Sequence, residues 1–112
     1  VDGVIVSNHG GRQVDAGESS IVSLMKLASN PSYKSKLKIM MDGGIRSGVD
    51  LARAHAVGSE FNFMGRPFMY GVGALGEEGG EHTINMFKAH LYQVMQQLTV
   101  DNIHQLQDRL IK

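Results

Sequence analysis

A histidine and an arginine three residues apart are the first candidates for chemistry in this sequence. His9 and Arg12 follow the apolar run at residues 4–6, with two glycines between them. Folds built on parallel sheets place their active sites just past the C-terminal ends of strands. A neutral imidazole can act as a base near pH 7, and a guanidinium offers a planar fork that matches a carboxylate. The pair therefore predicts a pocket in which a base acts on a substrate that is held by its carboxylate.

A plainer interpretation of the same pair is a loop histidine beside a solvated surface charge. For a lone histidine and arginine that interpretation is the better one. Here Gly10 and Gly11 allow backbone angles closed to other residues, so the loop can turn sharply and both side chains can enter one pocket. This arrangement directly after an apolar strand favours the functional interpretation, and a base beside a carboxylate clamp suits the oxidation of a 2-hydroxy acid.

Two further turns combine glycine with arginine, and each follows an apolar run, at residues 39–41 and 61–64. The candidate residues are Asp42, Gly43, Gly44 and Arg46 in the first turn, and Gly65 and Arg66 in the second. In (β/α)8 proteins a phosphate often sits on the loops after the last two strands, beside a short helix. The helix dipole contributes about 0.3–1 kcal/mol to anion binding, and each arginine about 1.5–3 kcal/mol. The turns therefore predict a phosphate site, the alternative being that the glycines only make tight turns.

The elements that position these residues follow from the hydrophobic pattern. The three apolar runs predict strands, and helical patterns lie between and after them. Ser19 or Ser20 is expected to cap a helix that ends before Pro31, and Ser47 a helix that ends at Gly58. A short helix is predicted from Pro67 to residue 74, then a long helix after the glycines at 76, 79 and 80, then a last helix capped by Asp101. The pattern predicts an α/β fold.

Composition narrows the possible functions. The 112 residues carry 11 Lys and Arg and 11 Asp and Glu, so no basic surplus points to a nucleic acid. Without cysteine there is no disulfide or thiolate metal site, and the other histidines lack paired ligand spacing, so we expect no metal. No apolar run approaches the length of a membrane span. A complete (β/α)8 barrel needs about 250 residues, so we expect this chain to be part of a larger one.

Three motifs together resemble one enzyme family across nearly the whole chain. They are Ser-Asn-His-Gly-Gly-Arg-Gln at 7–13, Asp-Gly-Gly-Ile-Arg-Ser-Gly at 42–48 and Gly-Arg-Pro-Phe-Met-Tyr-Gly at 65–71. The chain resembles the FMN-dependent α-hydroxy-acid dehydrogenases and oxidases, of the L-lactate dehydrogenase, lactate oxidase and glycolate oxidase type. The first motif is highly specific, whereas other barrel families share the phosphate motifs.

This resemblance implies a fold and a set of roles. Residues 1–112 would be the C-terminal part of a single FMN-binding barrel domain, its last three β/α units plus the C-terminal helices. His9 would be the base and Arg12 would bind the substrate carboxylate. FMN would be held by Asp42, Gly43, Gly44, Arg46, Gly65 and Arg66. The parent enzyme would oxidise an L-2-hydroxy acid to the 2-oxo acid, passing electrons to oxygen, a quinone or a cytochrome.

The resemblance also carries expectations about the parent and about the isolated chain. The parent is expected to be a homo-oligomer, in the cytoplasm or peripheral on the inner face of a membrane. The family's lysine near the flavin ring lies outside this sequence, so we expect the chain alone to be inactive or nearly so. Two alternatives stay open: another phosphate-binding barrel such as a type 2 isopentenyl-diphosphate isomerase, and a non-catalytic fragment that self-associates.

Overall fold

The computed structural model describes residues 1–111 and contains a parallel three-stranded sheet. Strands β1 (Gly3–Val6), β2 (Lys38–Asp42) and β3 (Phe61–Phe63) lie in the order β1-β2-β3. Val4 pairs with Ile39, and Met40 pairs with Phe61. The α/β class and all three strands agree with the hydrophobic pattern. Because the strands are parallel, their C-terminal ends meet at one edge of the sheet.

The helices between the strands begin where the capping residues predict. Helix α1 (Ser20–Ala28) follows Ser19, and helix α3 (Gly48–Val57) follows Ser47, whose Oγ accepts from the Asp50 N–H at 3.3 Å. A short helix that the sequence analysis did not anticipate, α2 (Pro31–Lys34), lies between α1 and β2. Its proline suits a first helical position, and the Asn30 side chain caps it by accepting from the Ser32 N–H at 3.0 Å.

The C-terminal helices differ in detail from the prediction. Helix α4 (Arg66–Leu75) begins one residue before Pro67, and a 3₁₀ turn (Gly76–Glu78) joins it to helix α5 (Gly79–Gln97). The last helix is a 3₁₀ helix (Ile103–Arg109), and Asp101 as its cap was wrong. Asn102 caps it instead, accepting from the His104 N–H, while the Gln105 side chain accepts from the Asn102 N–H. This reciprocal pair satisfies two helix N–H groups, which a cap at Asp101 does not achieve.

Helices cover only one face of the sheet. The side chains on that face form a core with α1, α3 and α5, made of Val6, Leu24, Ile39, Met41, Ile45, Ala54 and Phe87. The opposite face carries Ile5, Phe61 and Phe63, which are 51%, 58% and 40% exposed. Both faces of a parallel sheet are ordinarily buried, so this apolar face is where further structure would pack.

A second, smaller core lies under the C-terminal 3₁₀ helix. Ala52 of α3, Val100 and Leu106 are buried together there, and Leu91 and Met95 of α5 pack against them. This core ties the end of the chain to α3 and α5. Within residues 1–111, α5 and the shorter helices all lack the combination of length and hydropathy that crossing a bilayer requires.

Helices α4 and α5 cross in direct backbone contact at two glycines. A β-carbon at Gly71 would lie 2.1 Å from Thr83 Oγ1 and 2.6 Å from the Gly79 carbonyl oxygen. Thr83 is buried, and its hydroxyl already donates to the Gly79 carbonyl at 2.7 Å. This crossing holds α4 against α5, and it thereby fixes the position of Arg66 at the start of α4.

The replacement Gly71→Ala tests this crossing. We expect it to lower the free energy of unfolding by about 3 kcal/mol or more, because the two backbones must separate to admit a methyl group. Gly73→Ala is the matched control in the same helix, since a β-carbon at Gly73 meets no atom within 4 Å. It should be neutral or stabilise by about 0.5–1 kcal/mol. Chemical denaturation of the full-length protein measures both, and equal midpoints would contradict the close crossing.

His55 of α3 belongs to a half-buried polar cluster beneath β3. Its Nδ1 donates to the Ser59 carbonyl at 2.8 Å, and its Nε2 lies 3.2 Å from Asn62 Nδ2. A carbonyl can only accept, so Nδ1 carries the proton and Nε2 accepts from the amide. Burial lowers the pKa of His55 below its ordinary value of 6.5, outweighing the Ser59 hydrogen bond, and the charge of His104 acts in the same direction as burial. Burial therefore favours the neutral imidazole in the folded chain.

This lowered pKa predicts a pH dependence of stability. Below about pH 6.5 the unfolded chain binds a proton at His55 that the folded chain does not. The free energy of unfolding therefore decreases as the pH is lowered, until the pKa of His55 in the folded chain is reached. Thermal unfolding of the FMN-saturated full-length protein at about pH 7.5 and about pH 5.5 measures the effect. His55→Gln should reduce the loss of stability between the two pH values, whereas His82→Gln, at an exposed site on α5, should leave that loss unchanged. Identical losses in both variants would argue against the role of His55.

Candidate active site

The loop after β1 turns through three consecutive residues with positive φ. His9, Gly10 and Gly11 have φ of 54°, 65° and 73° and form a single 3₁₀ turn. The turn is closed by the Gly11 N–H, which donates to the Asn8 carbonyl at 3.0 Å, and by the Arg12 N–H, which donates to the His9 carbonyl at 3.3 Å. Glycine adopts this region at little cost, but a histidine there stores roughly 1–3 kcal/mol of strain. Such strain is common where side-chain placement serves a function.

The start of this loop is held against α1 and against the loop after β2. The Asn8 N–H donates to Ser20 Oγ at 3.1 Å, and the His9 N–H donates to Ser7 Oγ at 3.0 Å. A β-carbon at Gly43 would lie 2.7 Å from Asn8 Oδ1 and 2.9 Å from Ser20 Oγ. Only a glycine therefore allows the two loops to approach this closely.

The loop after β2 presents Arg46 from a fixed backbone. Gly43 and Gly44 have φ of 91° and 76°, and Ile45 is buried in the main core. Asp50 Oδ2 accepts from the Arg46 N–H and from the Ser47 hydroxyl, both at 3.0 Å. The backbone of Arg46 is thus tied to the first turn of α3, while its side chain stays exposed.

The loop after β3 leads directly into α4. Gly65 is the N-cap of α4 and Arg66 its first residue, so the side chain of Arg66 leaves the helix at its N-terminus. Arg66 Nη2 donates to the Gly10 carbonyl at 2.6 Å, which links the third loop to the first across the end of β2.

The three loops surround one cavity of about 760 Å³. This volume is in the range of small-molecule and cofactor pockets. All eight residues singled out from the sequence line it: His9, Arg12, Asp42, Gly43, Gly44, Arg46, Gly65 and Arg66. The fold therefore brings together candidate site residues from three separate segments of the sequence.

The cavity carries an excess of positive charge. Arg12, Arg46 and Arg66 line it, and within residues 1–111 none of the three forms an ion pair with a carboxylate. Asp42 is the one acidic residue among the described residues that line the cavity. Guanidinium groups without carboxylate partners favour an anionic ligand, and their planar forks suit phosphate and carboxylate.

The cavity also fits a ligand that carries a phosphate and hydroxyl groups, as FMN does. Within the described residues, Asp42 Oδ1 is buried without a hydrogen-bond partner, so it can accept from a ligand hydroxyl. A β-carbon at Gly44 or Gly65 meets no atom within 4 Å, which leaves open space beside the backbone. Asp42 Oδ1 can thus accept from a ligand hydroxyl, and the guanidinium groups of Arg46 and Arg66 can donate to a phosphate.

Among the other residues that line the cavity, sequence reasoning missed the side chains of Phe63, Met69 and Tyr70. Methionine on an apolar helix face usually packs in the core, but Met69 is 69% exposed. Both Met69 and Tyr70 lie in the first turns of α4, close behind Gly65 and Arg66, and this proximity was the available signal. The hydrophobic pattern does not give the orientation of α4, so it does not predict which face of this helix lines the cavity.

Comparisons with known proteins identify a matching family and similar sequences. The family described as FMN-dependent dehydrogenase matches residues 1–112. An L-lactate dehydrogenase of Actinobacillus pleuropneumoniae serotype 5b (strain L20) is 42% identical over 94 residues, which cover 84% of this chain and 24% of the relative. The 2-hydroxyacid oxidase 2 of Rattus norvegicus is 39% identical over 95 residues, which cover 85% of this chain and 26% of the relative.

Solved structures of enzymes show the same fold. The flavin-binding domain of baker's yeast flavocytochrome b2 superposes with a TM-score of 0.87 at 35% identity, over 95% of this chain and 28% of that one. A mandelate oxidase with 3,3-difluoro-2-hydroxy-3-phenylpropionic acid superposes with a TM-score of 0.87 at 29% identity, over 95% of this chain and 31% of that one. The chain thus spans about a quarter of the length of the curated relatives that it matches.

Proposed function

The chain belongs to the FMN-dependent dehydrogenase family, and on that premise we propose that it is part of an enzyme that oxidises an L-2-hydroxy acid to the 2-oxo acid. One observation carries the proposal. The imidazole of His9 and the guanidinium of Arg12 line the same cavity as Arg46 and Arg66, which suit a phosphate. A base and a carboxylate clamp thus lie beside a candidate flavin site.

We further propose that residues 1–112 form the last three β/α units and the C-terminal helices of one FMN-binding (β/α)8 barrel domain. The site lies at the C-terminal ends of parallel strands, where barrel enzymes carry their active sites. The uncovered apolar face with Ile5, Phe61 and Phe63 suits the interior of a barrel that further strands complete. The small share of each relative that the chain covers agrees with this view.

In the proposed reaction each cavity residue has a separate task. Arg12 binds the substrate carboxylate through two parallel hydrogen bonds, which fixes the C2 carbon near His9. His9 accepts a proton, from the C2 hydroxyl if hydrogen leaves carbon as hydride, or from C2 if it leaves as a proton. Bound FMN would accept the two electrons, with the C2 hydrogen as hydride in the first case and with the hydroxyl proton in the second. Asp42, Arg46 and Arg66 hold the ribityl and phosphate groups, together with the glycines at 43, 44 and 65.

No specific observation favours the other candidate functions for the parent. An isomerase of the isopentenyl-diphosphate type needs the phosphate turns but gives no task to the base and clamp at His9 and Arg12. Self-association concerns the isolated chain, whose apolar sheet face is open, and we expect that chain to be inactive. The homo-oligomeric state and the location in the cytoplasm or on the inner face of a membrane stay predictions.

Replacing the base is the direct test of the reaction. We expect His9→Ala in the full-length protein to retain FMN, seen as flavin absorbance, and to lower kcat by about 10²–10⁴-fold, the usual contribution of a positioned base. The exposed His82→Ala provides the control and should keep full turnover of an L-2-hydroxy acid. Turnover by His9→Ala at the rate of the control would exclude the assignment.

Replacing the carboxylate clamp is a second test. We expect Arg12→Lys to raise KM for the 2-hydroxy acid by roughly tenfold or more, because a lysine cannot form the bidentate pair. Arg53→Lys is the matched control, since Arg53 contacts Asp50 on α3 and does not line the cavity. Steady-state kinetics measure both variants, and an unchanged KM for Arg12→Lys would remove Arg12 from the substrate site.

A further inference from the structure

The side chain of Arg66 connects the loops after β3 and β1. Its Nη2 donates to the Gly10 carbonyl at 2.6 Å, and a β-carbon at Gly10 would lie only 3.0 Å from Nη2 and 3.6 Å from Cζ. The guanidinium therefore lies directly against Gly10. Since β2 separates β1 from β3, the two strand ends are roughly 10 Å apart, a gap that a long side chain can bridge.

The tip of the first loop has little other support. Its remaining hydrogen bonds from Gly11 and Arg12 close the turn on itself, and Ser7 and Ser20 contact only its beginning. Within residues 1–111, Arg66 supplies the one hydrogen bond that reaches residues 10–12 from another element. Three residues with positive φ are thus held at their centre by a single guanidinium.

We propose that Arg66 is a positioning residue for His9 and Arg12, in addition to its contact with the cofactor phosphate. This role rests on the proposed function, because it assigns a task to the same cavity. A guanidinium has five N–H donors, so Arg66 can hold the Gly10 carbonyl and an anion at the same time. An anion that fixes the guanidinium also fixes the loop, so cofactor binding and loop order are coupled in both directions.

Arg46 is the comparison for Arg66, because it lines the same cavity without a hydrogen bond to the Gly10 carbonyl. It carries the same charge and lines the same cavity, but its backbone is tied to Asp50 and no hydrogen bond joins it to the first loop. Loss of Arg46 should weaken phosphate binding alone, whereas loss of Arg66 should also release the loop. The two arginines therefore form a matched pair.

The test compares Arg66→Ala with Arg46→Ala in the full-length protein. Hydrogen exchange is measured on the peptide spanning residues 7–14, with and without saturating FMN, because the Gly11 and Arg12 N–H groups are bonded inside the turn and report its opening. FMN affinity is measured by flavin fluorescence, and KM and kcat at saturating FMN. We expect both variants to bind FMN more weakly, but only Arg66→Ala to exchange roughly tenfold faster in the loop.

Steady-state kinetics give a second readout of the same role. At saturating FMN, Arg66→Ala should show a higher KM and a lower kcat than Arg46→Ala. The reason is that the released loop no longer holds the side chains of His9 and Arg12 in fixed positions. If Arg66→Ala does not fold, Arg66→Lys replaces it and should exchange roughly threefold faster than the parent, since it keeps the charge but loses the planar fork.

Equal loop exchange in the Arg66 and Arg46 variants would overturn the positioning role, whatever their FMN affinity. A parent protein that turns over no L-2-hydroxy acid would contradict the proposed function instead. That result leaves the exchange comparison intact, because exchange in the FMN-free protein requires no activity. The two proposals can thus fail separately.

Discussion

Parallel pairing of the strands in register is the constraint on which the rest of the site depends. It sets the ends of β1, β2 and β3 side by side, so loops that lie more than fifty residues apart in the chain meet around one cavity. Antiparallel pairing of the same strands would send alternate loops to opposite edges of the sheet. The backbone hydrogen bonds of the sheet therefore bring together His9, Arg12, Arg46 and Arg66. Contacts between their side chains are not needed for this.

Close packing against glycines keeps these loops in place. At Gly43 the first two loops touch, and at Gly71 and Gly79 helix α4 rests directly on α5, which anchors the start of α4. Each contact occupies the space that a β-carbon would need, so the geometry has little freedom to relax. The strained turn at residues 9–11 is held at its start by Ser7 and Ser20 and at its tip by the guanidinium of Arg66.

The proposed division of labour follows from the same geometry. Arg46 and Arg66 come from loops that open at the start of helices, where an anion is favoured, and both lack carboxylate partners within residues 1–111. His9 and Arg12 come from the first loop, on the other side of the β2 end. The hydrogen bond from Arg66 to Gly10 joins the phosphate-binding loops to the loop of His9 and Arg12. In this proposal the same side chain therefore binds the cofactor and positions the base.

Local signals in the sequence determined the strands, the helix starts after Ser19 and Ser47 and the α/β class, because strand pattern and helix starts depend on near neighbours. They also determined eight of the residues that line the cavity, because ends of parallel strands must share an edge, but not Phe63, Met69 and Tyr70. Tertiary structure alone decided the exposure of Met69, the His55–Asn62 contact and the Arg66–Gly10 bond. Most of these depend on the orientation of one element against another, and that orientation is set by packing over the whole chain, which no short stretch of residues encodes.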